Sequence, residues 1–403
     1  MALPINITEL INGRLTDSSQ IEFMRDVNIL SILHSVCAFA NDIDNCGGGY
    51  IIVGVEKDSS DHIIKELLQK CKLIEPYYIP LLEHTKYKGA DIIVIWAPGG
   101  DSRPYSCPIA FNSKNLEKAY YIRKHSNTIC ADKNQEKEFF QLINNIPFDN
   151  QANMKAKIED MRVSLISDYL YTIGSKLYDL SLNLPVRELA AKMHLLKGPS
   201  GKEKPINAGL MFFNERPHIY FPSARIELVD KPDPKGLGKT EKIFTGPLDR
   251  QLIDALSFIQ NYVITKKIIK SSKKAEADHI FNYPYRAVKE ALSNAVYHKS
   301  YNISKPIYIT ITPDKFEILS FPGPDSSISD EDIANCKMVA KRYQNRRIGD
   351  FLKALKLVKG QNTGIPTMLN AMSQNGSPAP IFETDDKRSY LKVILPIHEK
   401  FLE

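Results

Sequence analysis

The residues best suited to chemistry lie in one stretch, FNYPYRAVKEALSNAVYHKSYN (281–302). Glu290, Asn294 and His298 recur there at i, i+4 and i+8, which lines up a carboxylate, a carboxamide and an imidazole along a helix. A carboxamide oxygen is a hard ligand suited to Mg2+, and a carboxylate one turn away can take a proton from an attacking water. The pair fits a metal–nucleotide site. An amphipathic helix with polar edge residues gives the same spacing, so the pattern alone leaves both readings open.

The element that positions this line is a helix starting near Pro284, whose missing N–H costs nothing in a first turn. Ala287, Val288, Ala291, Leu292, Ala295 and Val296 share one wide apolar face. The polar line borders that face, so it looks into a cleft rather than straight into water. Upstream, ILSILHSVCAFA (29–40) carries a helical stripe that ends in Asn, Asp and the glycines Gly47 to Gly49. YIIVGVE (50–56), DIIVIWAP (91–98) and AYYIRKHS (119–126) read as strands. Residues 161–196 are helical in pattern, and LPVRELAAKMHLL suits either a helix-turn-helix piece or a plain connector. INAGLMFF (206–213) reads as a strand, a helix is expected over 247–265, and the last 120 residues alternate helix and strand.

The chain has 403 residues, a formal charge of +6 and 43% hydrophobic residues, which excludes collagen-like and wholly disordered classes. That charge permits nucleic-acid binding without requiring it. No apolar run approaches ~18 residues. The first twenty residues lack a basic cluster followed by an apolar core, so a cytoplasmic protein is expected. The six cysteines form no C-x-x-C pair and are expected to be reduced; a set such as Cys107, His125 and Cys130 could meet at a metal, and chance scatter gives the same spacing. GLGKT (236–240) imitates a phosphate loop, but Asp233 stands where the leading glycine belongs. The lysines of ITKKIIKSSKK (264–274) read as a solvated face. KRYQNRR (341–347) offers Tyr343 for stacking, and Arg342 and Arg347 for a local carboxylate or a phosphate.

The pattern E-A-L-x-N-A-x-x-H-x-x-Y is similar to the N-box helix of GHKL (histidine-kinase-like) ATPases, and more closely to the C-terminal domain of RecG-related, ATP-binding regulators. FEILSFPGP (316–324), KRYQNRRIGDFLKALKL (341–357) and KGQNTGIPTMLNAMSQNGSPAPIFETDD (359–386) extend that resemblance in order. It implies Glu290 as general base, Asn294 as Mg2+ ligand, and Gly360, Thr363 and Gly364 at the phosphates of ATP. His298 and Gly323 complete the implied nucleotide set. The family's adenine-reading Asp-x-Gly-x-Gly is replaced by Phe321-Pro322-Gly323-Pro324, with Asp325 after the turn rather than before it.

SSQIEFMRDVNI (18–29) followed by AFANDIDNCGGGYIIVGVEKD (38–58) resembles the Schlafen AlbA-type domain, usually described as DNA-binding. The resemblance implies Arg25, Asn41, Gly48 and Gly49 at nucleic acid, with Met24 where the family often has lysine. Some Schlafen relatives cleave RNA with three carboxylates; Asp17 and Glu22 with Glu56 or Asp58 are the matching set here, against a structural salt bridge for Glu22 and a cap for Asp17. The expected fold class is α/β (α+β): an AlbA-type domain over 1–145, a helical connector over 146–205, and a GHKL-like α/β sandwich over 206–403. The leading expectation is a DNA-binding transcriptional regulator that binds ATP and Mg2+, with DNA or RNA as partner, no membrane, and a homo-oligomeric state. The alternatives are a metal-dependent nuclease, acting in phage defence, and a scaffold whose sites have decayed.

Overall fold

The computed structural model describes residues 2–402 apart from 14, 16–17, 44–45, 57–58, 112–116, 125, 137–145, 234–236, 270–277, 326–327, 339–343 and 359–362. The chain is of mixed α+β class and divides into two compact units, one of residues 1–151 with 166–195, the other of 152–165 with 196–403. The stretch 146–205, expected as a connector, is therefore shared out between them.

The first unit is built on a four-stranded sheet of β1 (Ile21–Met24), β2 (Gly48–Gly54), β3 (Leu81–Tyr87) and β4 (Ala90–Pro98), in the order β1-β2-β4-β3. β1 runs parallel to β2 and the other pairings are antiparallel. α1 (Ile7–Ile11) precedes β1. One core joins Leu33, Val36, Ile51, Val53, Ile93 and Ile95 beneath α2 (Ile29–Asn41) and α3 (Ser60–Cys71). A second core, on the other face, joins Leu3, Leu10, Ile52, Val94 and Trp96. β4 is covered on both faces, which is why its sequence is a continuous apolar run rather than an alternation. Beside α2 lies a three-stranded sheet of β5 (Ser106–Pro108), β6 (Lys118–Lys124) and β7 (Asn127–Cys130). Helix α4 (Val163–Ile173) enters this unit at Ile166 and is followed by α5 (Leu177–Ser181) and α6 (Val186–Lys192). The Ser175 hydroxyl donates to Leu3 O at 2.6 Å and anchors this segment to the amino-terminal strap.

In the second unit, β8 (Leu196–Lys197) and β9 (Lys204–Pro205) form a short hairpin, followed by α7 (Asn207–Phe213). This last segment is a helix, not the strand expected from its composition. All seven of its residues are buried, so neither a 2.0 nor a 3.6 period survives in the pattern. The main sheet has six strands: β10 (Ile226–Asp230), β11 (Thr240–Phe244), β14 (Ile307–Ile311), β15 (Lys315–Ser320), β16 (Ile381–Glu383) and β17 (Leu391–Pro396), in the order β11-β10-β14-β15-β17-β16. A separate ribbon pairs β12 (Lys266–Ile269) with β13 (Asp278–Phe281). Helix α8 (Leu248–Phe258) lies on β10 and β11, and α9 (Tyr285–His298) lies on β15 and β17. Helices α10 (Asp330–Ala334), α11 (Arg346–Ala354) and α12 (Gly364–Asn375) follow, and α12 packs along α9. Lys239 and Thr240 lead into strand β11, not into the helix a phosphate loop requires. No helix among the described residues is long and apolar enough to cross a membrane.

Candidate functional site

Helix α9 follows Pro284 directly and buries the expected face, Ala287, Val288, Ala291, Leu292, Ala295 and Val296. Along its polar line exposure rises in steps: Glu290 is buried, Asn294 half-buried and His298 exposed. The line thus runs from the interior to the surface.

The carboxyl end of α9 is fixed from a distance in sequence. Asn345 Nδ2 donates to Tyr297 O at 2.8 Å and to Lys299 O at 2.6 Å, satisfying carbonyls that a helix end leaves open. Gly349 of α11 lies so near that a Cβ there would stand 2.4 Å from the Tyr297 ring. Glycine is what lets the two helices approach. Arg347, buried, donates to Asp350 Oδ2 at 3.2 Å and stacks over Phe351. It serves a local carboxylate, one of the two roles its motif suggested.

Asn294 is the centre of the site. A Cβ built on Gly364, the first residue of α12, would stand 2.8 Å from Asn294 Nδ2 and 3.2 Å from Oδ1. The carboxamide therefore lies flat against the start of α12, in the space a side chain would fill. Among the described residues it makes no hydrogen bond. Thr363 occupies the N-cap position of α12 without a side-chain cap to the helix, and Pro366 falls in the first turn. An uncapped helix start beside a glycine is suited to an anion, because backbone N–H groups and the helix dipole both face it. The site therefore combines a carboxylate, a carboxamide and a helix amino-terminus, which suits a metal-bound phosphate.

Two buried lysines, Lys299 and Lys353, stand near the carboxyl end of α9. His298 is exposed in area yet ringed by protein, as a group lining a cleft is; desolvation and the Lys353 ammonium push its imidazole down to about 4. Lys299, fully buried, places Nζ 3.1 Å from Ser300 O, and burial pushes it down to about 8. Lys299, Asn345 and Lys353 lie inside the quoted motif segments, but nothing in their spacing marks them as site residues. Gly323 is explained by its own surroundings. A Cβ there would stand 2.6 Å from Tyr390 O, and Gly323 N donates to Arg388 O at 2.8 Å. The close approach of the turn between β16 and β17 requires a glycine at this position. Gly360 lies outside the described residues, as do Arg342 and Tyr343.

In the first unit, the residues expected at nucleic acid separate into two kinds. Arg25 is exposed just past β1. Asn41 is not available: it is fully buried, Nδ2 donates to Tyr105 O at 2.9 Å and Tyr121 O at 2.8 Å, and Oδ1 accepts from Tyr105 N at 2.7 Å. It ties α2 to the β5–β6 region, which corrects its expected role. Gly48 has φ +82°, and a Cβ there would stand 2.1 Å from Ala97 O; at Gly49 it would stand 2.2 Å from the Phe39 ring. Both glycines are required by strand and helix packing.

The carboxylates proposed for metal also separate. Glu22 Oε2 accepts from Arg123 Nη1 at 2.5 Å and from Thr128 Oγ1 at 3.3 Å, while Arg123 lies over the Phe39 ring. This is the structural salt bridge, formed across a hundred residues, and a metal would have to displace Arg123. Glu56 is exposed in a turn. Asp17 and Asp58 lie outside the described residues, as does His125. Cys107 is buried and Cys130 exposed, and no cluster of three or more metal-ligating side chains occurs among the described residues.

Comparison with known proteins bears on both units. Residues 17–132 match the family model described as "Schlafen, AlbA_2", and residues 304–395 that described as "Putative ATP-dependent DNA helicase recG C-terminal". The second match covers Gly323, Thr363 and Gly364 but begins after α9. No curated protein matches the chain. Among solved structures, the DIP2311 protein of Corynebacterium diphtheriae is similar over 95% of this chain and 77% of its own, at 17% identity and a TM-score of 0.47. The N-terminal domain of a "Putative ATP-dependent DNA Helicase RecG-related Protein" from Nitrosomonas europaea is similar over 33% of this chain and 96% of its own, at 21% identity and a TM-score of 0.22. Both motif-based resemblances are thus met by family models: the chain carries a Schlafen AlbA_2-type region and, after it, a region of the recG C-terminal type.

Proposed function

We propose that this protein is a cytoplasmic, homo-oligomeric transcriptional regulator whose second unit binds ATP with Mg2+ and whose first unit binds DNA. The observation that carries the nucleotide half is Asn294, a carboxamide without a hydrogen bond among the described residues, laid against Gly364 at the start of α12. Its oxygen fits the metal, and the adjoining helix start fits the phosphates. Bound Mg2+ would hold and neutralise phosphate oxygens there. Glu290, buried one turn earlier on α9, stands where it can orient or deprotonate a water. The Lys353 ammonium near His298 adds positive charge that favours a polyanion.

The DNA half rests on the family match of residues 17–132 and on Arg25, exposed at the end of β1. Phe23, 59% exposed on the same strand, is a further surface group that can contact nucleotides. As a regulator, the protein should hold DNA with an affinity that ATP changes. Fluorescence anisotropy of a labelled duplex at several salt concentrations, with and without ATP and Mg2+, tests this. Arg25→Ala should lower the salt slope by about one. A DNA affinity indifferent both to Arg25 and to ATP would refute the regulatory reading.

A further inference from the structure

Three side chains of the first unit form a hydrogen-bonded row. Ser60 opens helix α3, His84 lies on β3 and Asp91 on β4. Ser60 Oγ is 3.4 Å from His84 Nδ1, and His84 Nε2 is 3.0 Å from Asp91 Oδ1. The sheet register explains the second contact: His84 pairs with Ile93 and Lys86 with Asp91, so His84 and Asp91 are diagonal neighbours on one face. Lys86 Nζ reaches the other Asp91 oxygen at 3.8 Å.

The partners fix the tautomer. A carboxylate only accepts, so Nε2 carries the proton toward Asp91 and Nδ1 keeps the lone pair that faces the Ser60 hydroxyl. That polarity is the one a general base needs: carboxylate, imidazole, hydroxyl, each orienting the next. The side chain of Asp91 is 13% exposed and that of His84 37%, so the carboxylate is shielded while the imidazole reaches solvent. The helix start is also left for other use. Ser59, in the N-cap position, makes no cap, because its hydroxyl donates to Glu56 O at 2.8 Å.

We propose that Ser60, His84 and Asp91 form a second, hydrolytic site that takes small carboxylic esters. Only small acyl groups are proposed, because Ser60 is 7% exposed. Ser60 Oγ attacks the acyl carbon as its proton passes to His84 Nδ1. The carbon–oxygen bond to the alcohol breaks, and the alcohol leaves with that proton. Water, deprotonated by the same nitrogen, then attacks the acyl–serine ester, releasing the acid and restoring the hydroxyl. The uncapped first turn of α3 supplies backbone donors for the oxyanion.

The test uses the full chain with 4-nitrophenyl acetate, together with a fluorophosphonate probe whose attachment site is read by mass spectrometry. Release of 4-nitrophenolate and labelling at Ser60 are expected. Ser60→Ala and His84→Gln should each lower both by at least about 100-fold, with melting temperatures close to wild type, while Ser59→Ala leaves both unchanged. Labelling of wild-type protein at some other residue, or hydrolysis that survives His84→Gln, would overturn the proposal. Should Ser60→Ala fail to fold, the labelled position in the wild-type chain decides by itself.

Discussion

Gly364→Ala perturbs the contact on which the nucleotide reading depends. The new methyl would stand 2.8 Å from Asn294 Nδ2 and 3.2 Å from Oδ1, inside the 3.4 Å at which ordinary contact begins. The carboxamide must therefore turn or leave. A turn of about 30° off its rotamer costs on the order of 1 kcal/mol, and loss of an interaction with a charged ligand costs about 1.5–3 kcal/mol. An effect near 2 kcal/mol, about 30-fold in ATP affinity, is the expected size. The backbone itself accepts alanine, because Gly364 lies in a helix outside the left-handed region. Replacing a helical glycine favours the fold by about 0.5–1 kcal/mol. Affinity should thus fall while the melting temperature holds or rises. Calorimetric titration of wild type, Gly364→Ala, Asn294→Ala and the double variant gives the full cycle. In the Asn294→Ala background, Gly364→Ala should cost little more. Additive losses, or wild-type affinity in Gly364→Ala, would refute the reasoning.

Three further outcomes follow from the geometry. Asn41→Ala leaves Tyr105 N and Tyr121 O without their buried partner and Tyr105 O with the Cys37 thiol alone; urea denaturation should show a loss of about 2–4 kcal/mol from the first unit. Arg123→Ala leaves the Glu22 carboxylate half-buried without its ion pair, and a loss of about 3 kcal/mol is expected. Nuclease activity in the wild type that disappears in a stable Glu22→Gln variant would instead favour the metal role for Glu22. Lys299 has a folded pKa of about 8 against 10.5 unfolded. Between these values the unfolded chain binds the extra proton, so stability attributable to Lys299 rises with pH from 8 to 10.5. Wild type should gain about 2 kcal/mol on Lys299→Met between pH 8 and 10; a constant difference would contradict the burial argument.

Local patterns reached far into this fold. The stripe of α9, the strand DIIVIWAP and the helix before Gly47 are set by periodicity and short-range chemistry, and each is found where that predicts. Segment 206–213 reads as a strand yet forms a helix, because burial on every side removes the period that distinguishes the two. The site residues divide by the same logic. Glu290, Asn294 and His298 share one helix, so their alignment is a matter of spacing. The meeting of Asn294 with Gly364, of Glu22 with Arg123 and of Ser60 with His84 joins residues 24 to 101 positions apart. Nothing local encodes such contacts. Asn41 and the glycines 48 and 49 show the converse, since motif residues can be held by packing demands alone.

Isothermal titration of the full chain with ATP in the presence of Mg2+, repeated with Asn294→Ala, addresses the central claim most directly. The account predicts saturable binding by wild type that is weakened by at least about tenfold in the variant, with both proteins equally folded by circular dichroism. Absence of binding by the wild-type chain, or equal binding by Asn294→Ala, would contradict it.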